Sequence, residues 1–223
     1  MSKSSLRRQA SDWRRHFFYR KESLRTTRRL RISIVLLVVL ATAATLGFWR
    51  LQIAQSLVCA EKITASDGLL VEYYDLGSYL VFEHAGDLQR IGMAPRIFVP
   101  VPKNASAVSK GVTELMAHLA RISSFETVPI QEIEPIRLNE AKQIRDFLKA
   151  QGVTSIVLVT PDFRSRRSFL VYNTVFSPAG ISVGCAPVFG MTNPQNWTKT
   201  WHGIQDVTEQ FLKLQYYRFY VLL

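Results

Sequence analysis

The sequence predicts one membrane-spanning helix followed by an α/β domain, in which an open and mostly parallel sheet has helices on both sides. Three observations support this prediction. The length of 223 residues allows one domain with an appendage, residues 32–49 carry no charge, and the remainder alternates between strand-like and helix-like segments. A composition of 48% hydrophobic and 20% charged residues excludes a disordered or collagen-like chain. Two cysteines exclude a disulfide-rich miniprotein and a multi-cysteine metal site.

The net charge of +11 is concentrated at one end of the chain. Residues 1–31 hold eleven basic and two acidic side chains, a net of +9, whereas residues 51–223 hold sixteen and fifteen, a net of +1. The excess is therefore a tail, and it does not indicate that the whole protein binds nucleic acid.

The uncharged run, ISIVLLVVLATAATLGFW, predicts a transmembrane helix. Its helical length of about 27 Å approaches the roughly 30 Å of a hydrocarbon core. A core helix of a soluble domain would carry polar residues on one face. Here the polar side chains are Ser33, Thr42 and Thr45, which can bond back to their own helix. We place a signal-anchor at residues 32–50, with Trp49 and Arg50 at the far interface.

The positive-inside rule orients this helix, because the cations cluster before it and Arg50 stands almost alone after it. Residues 1–31 become a cytoplasmic tail, and residues 60–223 become a domain outside the cytoplasm. A cleaved signal peptide is the alternative, but the charged region and the apolar run are both longer than such peptides have. We interpret the tail first as a topology signal. It would otherwise lie on anionic lipid headgroups, or bind a partner or nucleic acid.

The outer domain alternates as an α/β fold requires. Strands are predicted at residues 68–74, 96–101, 127–131, 155–160 and 181–186, and helices at 76–91, 111–123, 138–151, 163–176 and 197–220. The uncharged, β-branched run SIVLVT at 155–160 is typical of a parallel strand covered on both faces. Apolar residues at helical spacing mark the helix that precedes Gly152, a residue type that often follows a helix end. Pro100 indicates a strand end or an edge position.

In such sheets a ligand binds beyond the carboxyl ends of the strands. Those ends are predicted at residues 72–75, 102–104, 132–134, 160–167 and 187–189. No glycine-rich nucleotide loop, nucleophile elbow or HExxH motif occurs, and the histidines lack partners at ligand spacing. We therefore expect no metal, and we interpret the four histidines as surface or packing residues. They are His16, His84, His118 and His202.

The segment TPDFRSRRS follows the clearest strand and opens a helix, where the helix dipole favours anions. Cations at this position predict a bound phosphate or carboxylate, held by amides and guanidinium groups together. The predicted anion-binding residues are Thr160, Arg164, Arg166 and Arg167. In the alternative the arginines face solvent or pair with nearby acids, such as Glu132, Glu134 and Glu140.

The sequence resembles the SanA/ElyC/YdcF family of bacterial envelope proteins over roughly residues 60–217. The similar stretches are GMAPRIFV, RLNEAKQIRDFL, IVLVTPDFRSRRSFLVYNTVF and NPQNWTKTWHGIQDVTEQFLKLQYY, and Thr113-Glu114 falls where the family has a Ser-Glu pair. The resemblance implies a Rossmann-like three-layer αβα domain, often behind one membrane helix. It also implies a role in envelope integrity and in cell-wall precursor or lipid-carrier metabolism, with S-adenosylmethionine binding ascribed to one branch.

The departures from the family pattern affect its site. The glycine-rich turn is replaced by Glu72-Tyr73-Tyr74-Asp75, which blocks close backbone approach to a ligand. Arg164 stands at the family histidine and stays protonated near neutral pH, and Ile136-Arg137 replaces an Asn-Thr pair. The surviving polar residues are Glu114, Glu140, Thr160 and Arg167. Glu114 and Glu140 are the catalytic candidates, and we expect no cofactor.

Three functions remain open. The first is a bacterial inner-membrane protein with a periplasmic domain, a non-catalytic or degenerate factor in envelope biogenesis or assembly. The second is a divergent enzyme acting on a phosphate-bearing cell-wall or lipid-carrier precursor. The third is an accessory subunit of a membrane complex, which uses the aromatic end of the chain. The expected partners are the lipid bilayer, anionic headgroups at the tail and envelope proteins, but not nucleic acid.

The two cysteines, Cys59 and Cys185, can form a disulfide in an oxidising compartment if their Cα atoms lie within about 4.4–6.8 Å. The sequence does not place them at that distance, so it leaves both the paired and the free state open.

Overall fold

The computed structural model describes residues 18–21, 23–61, 63–72 and 79–222, with side chains from residue 27 onward except at 44 and 46. The chain divides into two compact units, Met1–Arg50 and Leu51–Leu223. In the first unit a short antiparallel hairpin, β1 (Phe18–Lys21) and β2 (Ser23–Thr26), precedes helix α1 (Arg28–Ser56). The predictions for the first seventeen residues, including His16, and for Tyr73–Asp75 lie outside the described residues.

Residues 34–40 of helix α1 are apolar and exposed around its whole circumference. Side chains 34–40 are each between 51% and 68% exposed, and consecutive residues point in all directions around a helix. The predicted back-bonding of the threonines is confirmed: Thr42 Oγ1 donates to the Val38 carbonyl at 2.7 Å, and Thr45 Oγ1 to the Ala41 carbonyl at 2.9 Å. The helix continues past Arg50, where the predicted span ended, because QIAQS carries no helix-breaking residue.

Among the described residues, no single helix is both long and apolar enough to span a bilayer. Two segments of α1, Arg28–Ala43 and Gly47–Ser56, are bent by 49° relative to each other, and together they are long and apolar enough.

The second unit contains a five-stranded parallel sheet in the order β5-β4-β3-β6-β7, which confirms the predicted α/β class. The strands are β3 (Gly68–Val71), β4 (Arg96–Pro102), β5 (Glu126–Ile130), β6 (Ser155–Pro161) and β7 (Ser182–Val188). From β3 the chain winds outward to β4 and β5, then returns to β6 on the other side of β3. The strand order therefore reverses between β3 and β6, the crevice where such folds bind ligands.

Helices cover both faces of the sheet, giving the three-layer Rossmann-like arrangement. They are α2 (Tyr79–Arg90), α3 (Ala107–Leu119), α4 (Ile136–Ala150), α5 (Ser165–Phe176) and α6 (Trp201–Tyr216). The core on one face joins α2 and α3 to sheet residues such as Leu69 and Val157. The core on the other face joins α4 and α5 to Leu70, Phe98 and Leu158. Successive residues of β3 thus point into opposite cores, as expected for a strand that is covered on both faces.

Two helix starts differ from the prediction by four residues. Helix α3 begins at Ala107 instead of Gly111, because the side chain of Ser106 accepts a hydrogen bond of 3.1 Å from the Ser109 amide and caps the helix. The predicted helix 197–220 is divided into a 3₁₀ turn (Trp197–Lys199), α6 and a π turn (Tyr217–Val221). Thr200 caps α6 by accepting from the Gly203 amide at 3.1 Å.

Strand β4 is interior although it contains Pro100, so the proline does not mark a sheet edge. The register between β3 and β4 ends at the pair Leu70–Phe98, two residues before the proline. Pro100 therefore lies where β4 pairs only with β5, and its missing N–H falls near the strand end, the other position that the sequence allowed.

The last turn of α1 and the segment after it belong to the second unit. Ala54 and Leu57 are fully buried against Phe163, Val207 and Leu214. The Leu57 carbonyl accepts from the Arg166 amide at 3.0 Å, and the Cys59 amide donates to Ser165 Oγ at 3.2 Å. Cys59 and Cys185 form a disulfide, with 6.3 Å between their Cα atoms. The chain is thus joined covalently to edge strand β7 as it enters the domain.

Candidate functional site

The crevice between β3 and β6 is occupied by a pair of buried polar side chains. Glu72 follows β3 directly, and its amide donates to the Val159 carbonyl at 2.9 Å, extending the parallel ladder by one residue. This places the Glu72 carboxylate beside Thr160, whose Oγ1 donates to Glu72 Oε2 at 2.6 Å. The two residues are 1% and 0% exposed, so the polar pair lies inside the protein.

Glu140, on α4, adds a second carboxylate to this region. It is 4% exposed, and Arg137, one turn earlier, forms an ion pair with its Oε2. Burial raises the pKa of Glu140 from 4.5 to about 7 against the opposing charge of Arg137, and the carboxylates of Glu72 and Glu132 raise it further. Glu140 is therefore close to half protonated at neutral pH.

Tyr217 links the start of α4 with Arg167 of α5. The guanidinium carbon of Arg167 lies 5.6 Å from the centroid of the Tyr217 ring, within the range of a cation–π contact. Burial raises the pKa of the Tyr217 hydroxyl, while the charges of Arg167 and Arg137 and a hydrogen bond from the Arg137 amide lower it. Arg167 Nε is buried, without a hydrogen-bond partner among the described residues.

Arg164 lies among carboxylates that the sequence analysis did not single out. Asp162 has a positive φ of 31°, and burial raises its pKa to about 6, helped by the neighbouring Asp206 and opposed by Arg164. Burial also raises the pKa of Asp206, whose Oδ1 accepts from Gln210 Nε2 at 3.4 Å. Asp162 falls in a predicted strand-end segment, and this is the only feature of the sequence that indicates a site residue there. No feature of the sequence indicates Asp206, because its position depends on how α6 packs.

Two of the three arginines, Arg164 and Arg166, lie beside acids that the alternative interpretation did not name. Arg166 lies 4.0 Å from Glu61, and Arg164 lies beside Asp162 and Asp206 rather than Glu132 or Glu134. One backbone amide at the start of α5 is already hydrogen-bonded, because the Arg166 amide donates to the Leu57 carbonyl. An anion at this helix end would have one free amide fewer than the sequence indicated.

Glu114 lies apart from the crevice. It is exposed on α3 and lines a separate pocket of about 320 Å³, formed between α3 and the outer strands β4 and β5. The pocket lining also includes Lys103, Lys110, Phe125 and Pro129. The structure thus brings Glu72, Glu140 and Thr160 together, with Arg167 attached through Tyr217, and leaves Glu114 elsewhere.

The described part of the chain contains no cluster of three or more His, Cys, Asp or Glu side chains able to hold a metal ion. His84, His118 and His202 lie on three different helices. A carboxyl group with a pKa near 7 can exchange a proton at neutral pH, which is the chemistry available at Glu140. Its burial and its ion pair with Arg137 withhold it from solvent.

The chain matches no protein-family model, no curated protein and no solved structure.

Proposed function

We propose that this protein is a single-pass protein of the bacterial inner membrane, with a cytoplasmic tail and a periplasmic α/β domain. In this proposal the domain is a divergent member of the SanA/ElyC/YdcF family that acts in envelope biogenesis or assembly by binding, without catalysis. The Cys59–Cys185 disulfide carries the proposal. Buried structural disulfides persist outside the cytoplasm, and this one begins three residues after α1 ends.

The exposure of α1 supports the membrane anchor. A helix that is apolar on every side is stable either in a protein core or in a bilayer. Residues 34–40 are more than half exposed, so the described protein does not provide that core. The net charge of +9 on residues 1–31 supports a cytoplasmic tail, because cytoplasmic segments beside a membrane helix are enriched in Lys and Arg.

The state of the crevice supports binding over catalysis. The Glu72 carboxylate accepts from Thr160, and the Glu140 carboxylate pairs with Arg137, both in the interior. A substrate would have to displace these partners before it reached either carboxylate, leaving buried groups without hydrogen bonds. The two carboxylates therefore act as packing elements of the domain.

A second candidate function is favoured by the pKa of Glu140 near 7 and by Arg167, whose Nε is buried without a partner among the described residues. In that case Arg164 and Arg167 hold the phosphate of an envelope precursor, and Glu140 acts as acid or base. Titration of the purified full chain with inorganic phosphate and pyrophosphate tests this candidate. Absence of binding, or binding that Arg167→Gln leaves unchanged, would overturn it.

Topology is the first test of the proposal. Alkaline phosphatase fused after Leu223 should be active in a bacterial host, green fluorescent protein at the same position should be dark, and the chain should resist carbonate extraction. Cys59 and Cys185 should become alkylated only after unfolding and reduction. Fluorescent fusions together with free thiols would overturn the periplasmic assignment.

Catalysis is tested separately, in cells that depend on the protein. Glu140→Gln keeps the volume and a hydrogen-bonding group but removes the titratable carboxyl, so a binding protein should retain function. Lys142→Gln, at an exposed position of the same helix, is the matched control. Loss of function in Glu140→Gln alone, with an unchanged thermal transition, would show that the carboxyl is needed for chemistry and not for folding.

A further inference from the structure

One face of the sheet is left partly uncovered at its outer edge. Along β5, Val128 and Ile130 are buried in the core beneath α4. Thr127 and Pro129 alternate with them, point to the other face and are exposed. The core on that other face includes Val101 of β4, but none of the buried residues that the structure describes in it comes from β5. Helix α3 therefore leaves a groove open beside the edge strand.

This groove is a pocket of about 320 Å³, near the lower end of the range that small-molecule sites occupy. Its apolar lining comes from Val101, Phe125 and Pro129. Val101 is 6% exposed, and Phe125 packs against the buried core of α2 and α3. Because the proline ring is rigid as well, this lining is a fixed apolar surface on which a hydrocarbon group can be buried.

Three charged side chains also line the pocket. Lys103 follows β4 directly, and its amide donates to the Ile130 carbonyl at 2.8 Å, which fixes the backbone at this point. Lys110 and Glu114 lie one turn apart on α3, about 40° from each other around the helix. The three charged residues are exposed, so a ligand reaches them without displacing a buried group.

The three charged groups are not paired with one another or with other described residues. None of them belongs to an ion pair within 4.0 Å in the part of the chain that the structure describes. On α3 the lysine precedes the glutamate by four residues, which is the weaker order for such a pair on a helix. Charges of both signs therefore remain available to a ligand.

We propose that this pocket binds a zwitterionic α-amino acid with an apolar side chain. In this arrangement the carboxylate lies between Lys103 and Lys110, and the ammonium group contacts Glu114. The side chain of the ligand covers Phe125 and Pro129. A simple anion would place like charge beside Glu114, and a simple cation would place like charge beside two lysines. A ligand with both charges meets a partner of opposite sign at each. The inference goes beyond the proposed function and requires no membrane anchor.

The spacing of the charges on α3 favours an α-amino acid over a longer zwitterion. Residues four apart on a helix have Cβ atoms about 5–6 Å apart. An ammonium group and a carboxylate that are attached to one carbon atom can therefore contact Glu114 and Lys110 together. The pocket volume of about 320 Å³ also suits a ligand of this size.

The test is isothermal titration calorimetry of the purified full chain in detergent, with L-leucine and three analogues that each lack one group. Leucinamide lacks the carboxylate, N-acetyl-leucine lacks the ammonium group, and glycine lacks the side chain. L-leucine should bind saturably, and each analogue should bind more weakly by about tenfold or more, because it loses a charge-assisted hydrogen bond or the apolar contact. Equal binding of all four compounds, tighter binding of N-acetyl-leucine, or no binding of L-leucine would overturn the inference.

Two variants assign the charged groups. Lys110→Gln should weaken L-leucine binding about tenfold and leave the residual affinity for leucinamide unchanged. Glu114→Gln should weaken L-leucine binding and leave the residual affinity for N-acetyl-leucine unchanged. Lys142→Gln, at an exposed position of α4 on the other face of the sheet, is the matched control and should bind as the wild type does. An affinity for L-leucine that neither pocket variant changes would overturn the inference, and so would a loss that Lys142→Gln shares.

Discussion

The Thr160 hydroxyl donates a hydrogen bond of 2.6 Å to Oε2 of Glu72, joining the carboxyl ends of two strands that are 88 residues apart in sequence. Strand order creates this contact, because the return of the chain to β6 beside β3 brings both residues to one crevice. The pair determines whether the crevice is a closed part of the core or a site open to ligands.

Thr160→Val should destabilise the domain by about 1–3 kcal/mol, because the isosteric side chain removes a donor to a buried carboxylate. Thr160→Ser keeps the hydroxyl and should lose less. Urea unfolding followed by circular dichroism measures both. If the valine variant were as stable as the wild type, the hydrogen bond would contribute nothing to folding.

Stability should fall with rising pH on account of Glu140. Its folded pKa of about 7 exceeds its ordinary 4.5, so the folded state holds the proton more tightly than the unfolded state. This contribution is complete below about pH 4.5 and is lost as pH approaches 7, a change of about 3 kcal/mol.

The measurement is the difference between wild type and Glu140→Gln in urea unfolding across that pH range. The wild-type slope also includes Asp162, whose pKa is raised to about 6 and acts in the same direction, so the difference isolates Glu140. Glu134→Gln, at an exposed position, controls for the loss of one carboxylate. Parallel pH profiles for wild type and Glu140→Gln would contradict the raised pKa.

The sheet was predictable because its signal is local. A strand covered on both faces is an uncharged run in the sequence, as at 155–160, and the structure places β6 there. Helix starts were less predictable because they depend on single caps. Ser106 moved the start of α3 four residues ahead of the predicted Gly111.

The contacts of the candidate site were less predictable, because they depend on strand order and on the packing of distant helices. Glu72 and Thr160 were each singled out, but nothing local indicates that β3 and β6 are neighbours. The position of Asp206 beside Asp162 likewise depends on where α6 lies. The pairing of Cys59 with Cys185 was left open for the same reason.

Removing the disulfide should destabilise the domain strongly. The bond closes a loop across a sequence separation of 126, for which loop-closure entropy predicts up to about 5 kcal/mol. Replacing both Cys59 and Cys185 with alanine should lower the urea midpoint, and dithiothreitol should lower that of the wild type similarly. The alanine variant should not respond to dithiothreitol. An unchanged wild-type midpoint under full reduction would show that the cross-link does not limit unfolding.

Gly203 is required by the close approach of α6 to the 3₁₀ turn before it. A Cβ at this position would lie 2.2 Å from the Trp197 carbonyl oxygen and 3.0 Å from its carbon, both backbone atoms that cannot move aside. Gly203→Ala should therefore cost about 1–3 kcal/mol through overpacking and disturbance of the Thr200 cap.

Gly111→Ala is the matched control, because it lies inside α3 with nothing within 4 Å of its Cβ, and it should stabilise the protein by about 0.5–1 kcal/mol. Thermal unfolding of the two variants should shift in opposite directions. Equal shifts would mean that the 3₁₀ turn yields to the added methyl group, so that Trp197 does not hold α6 at a fixed distance.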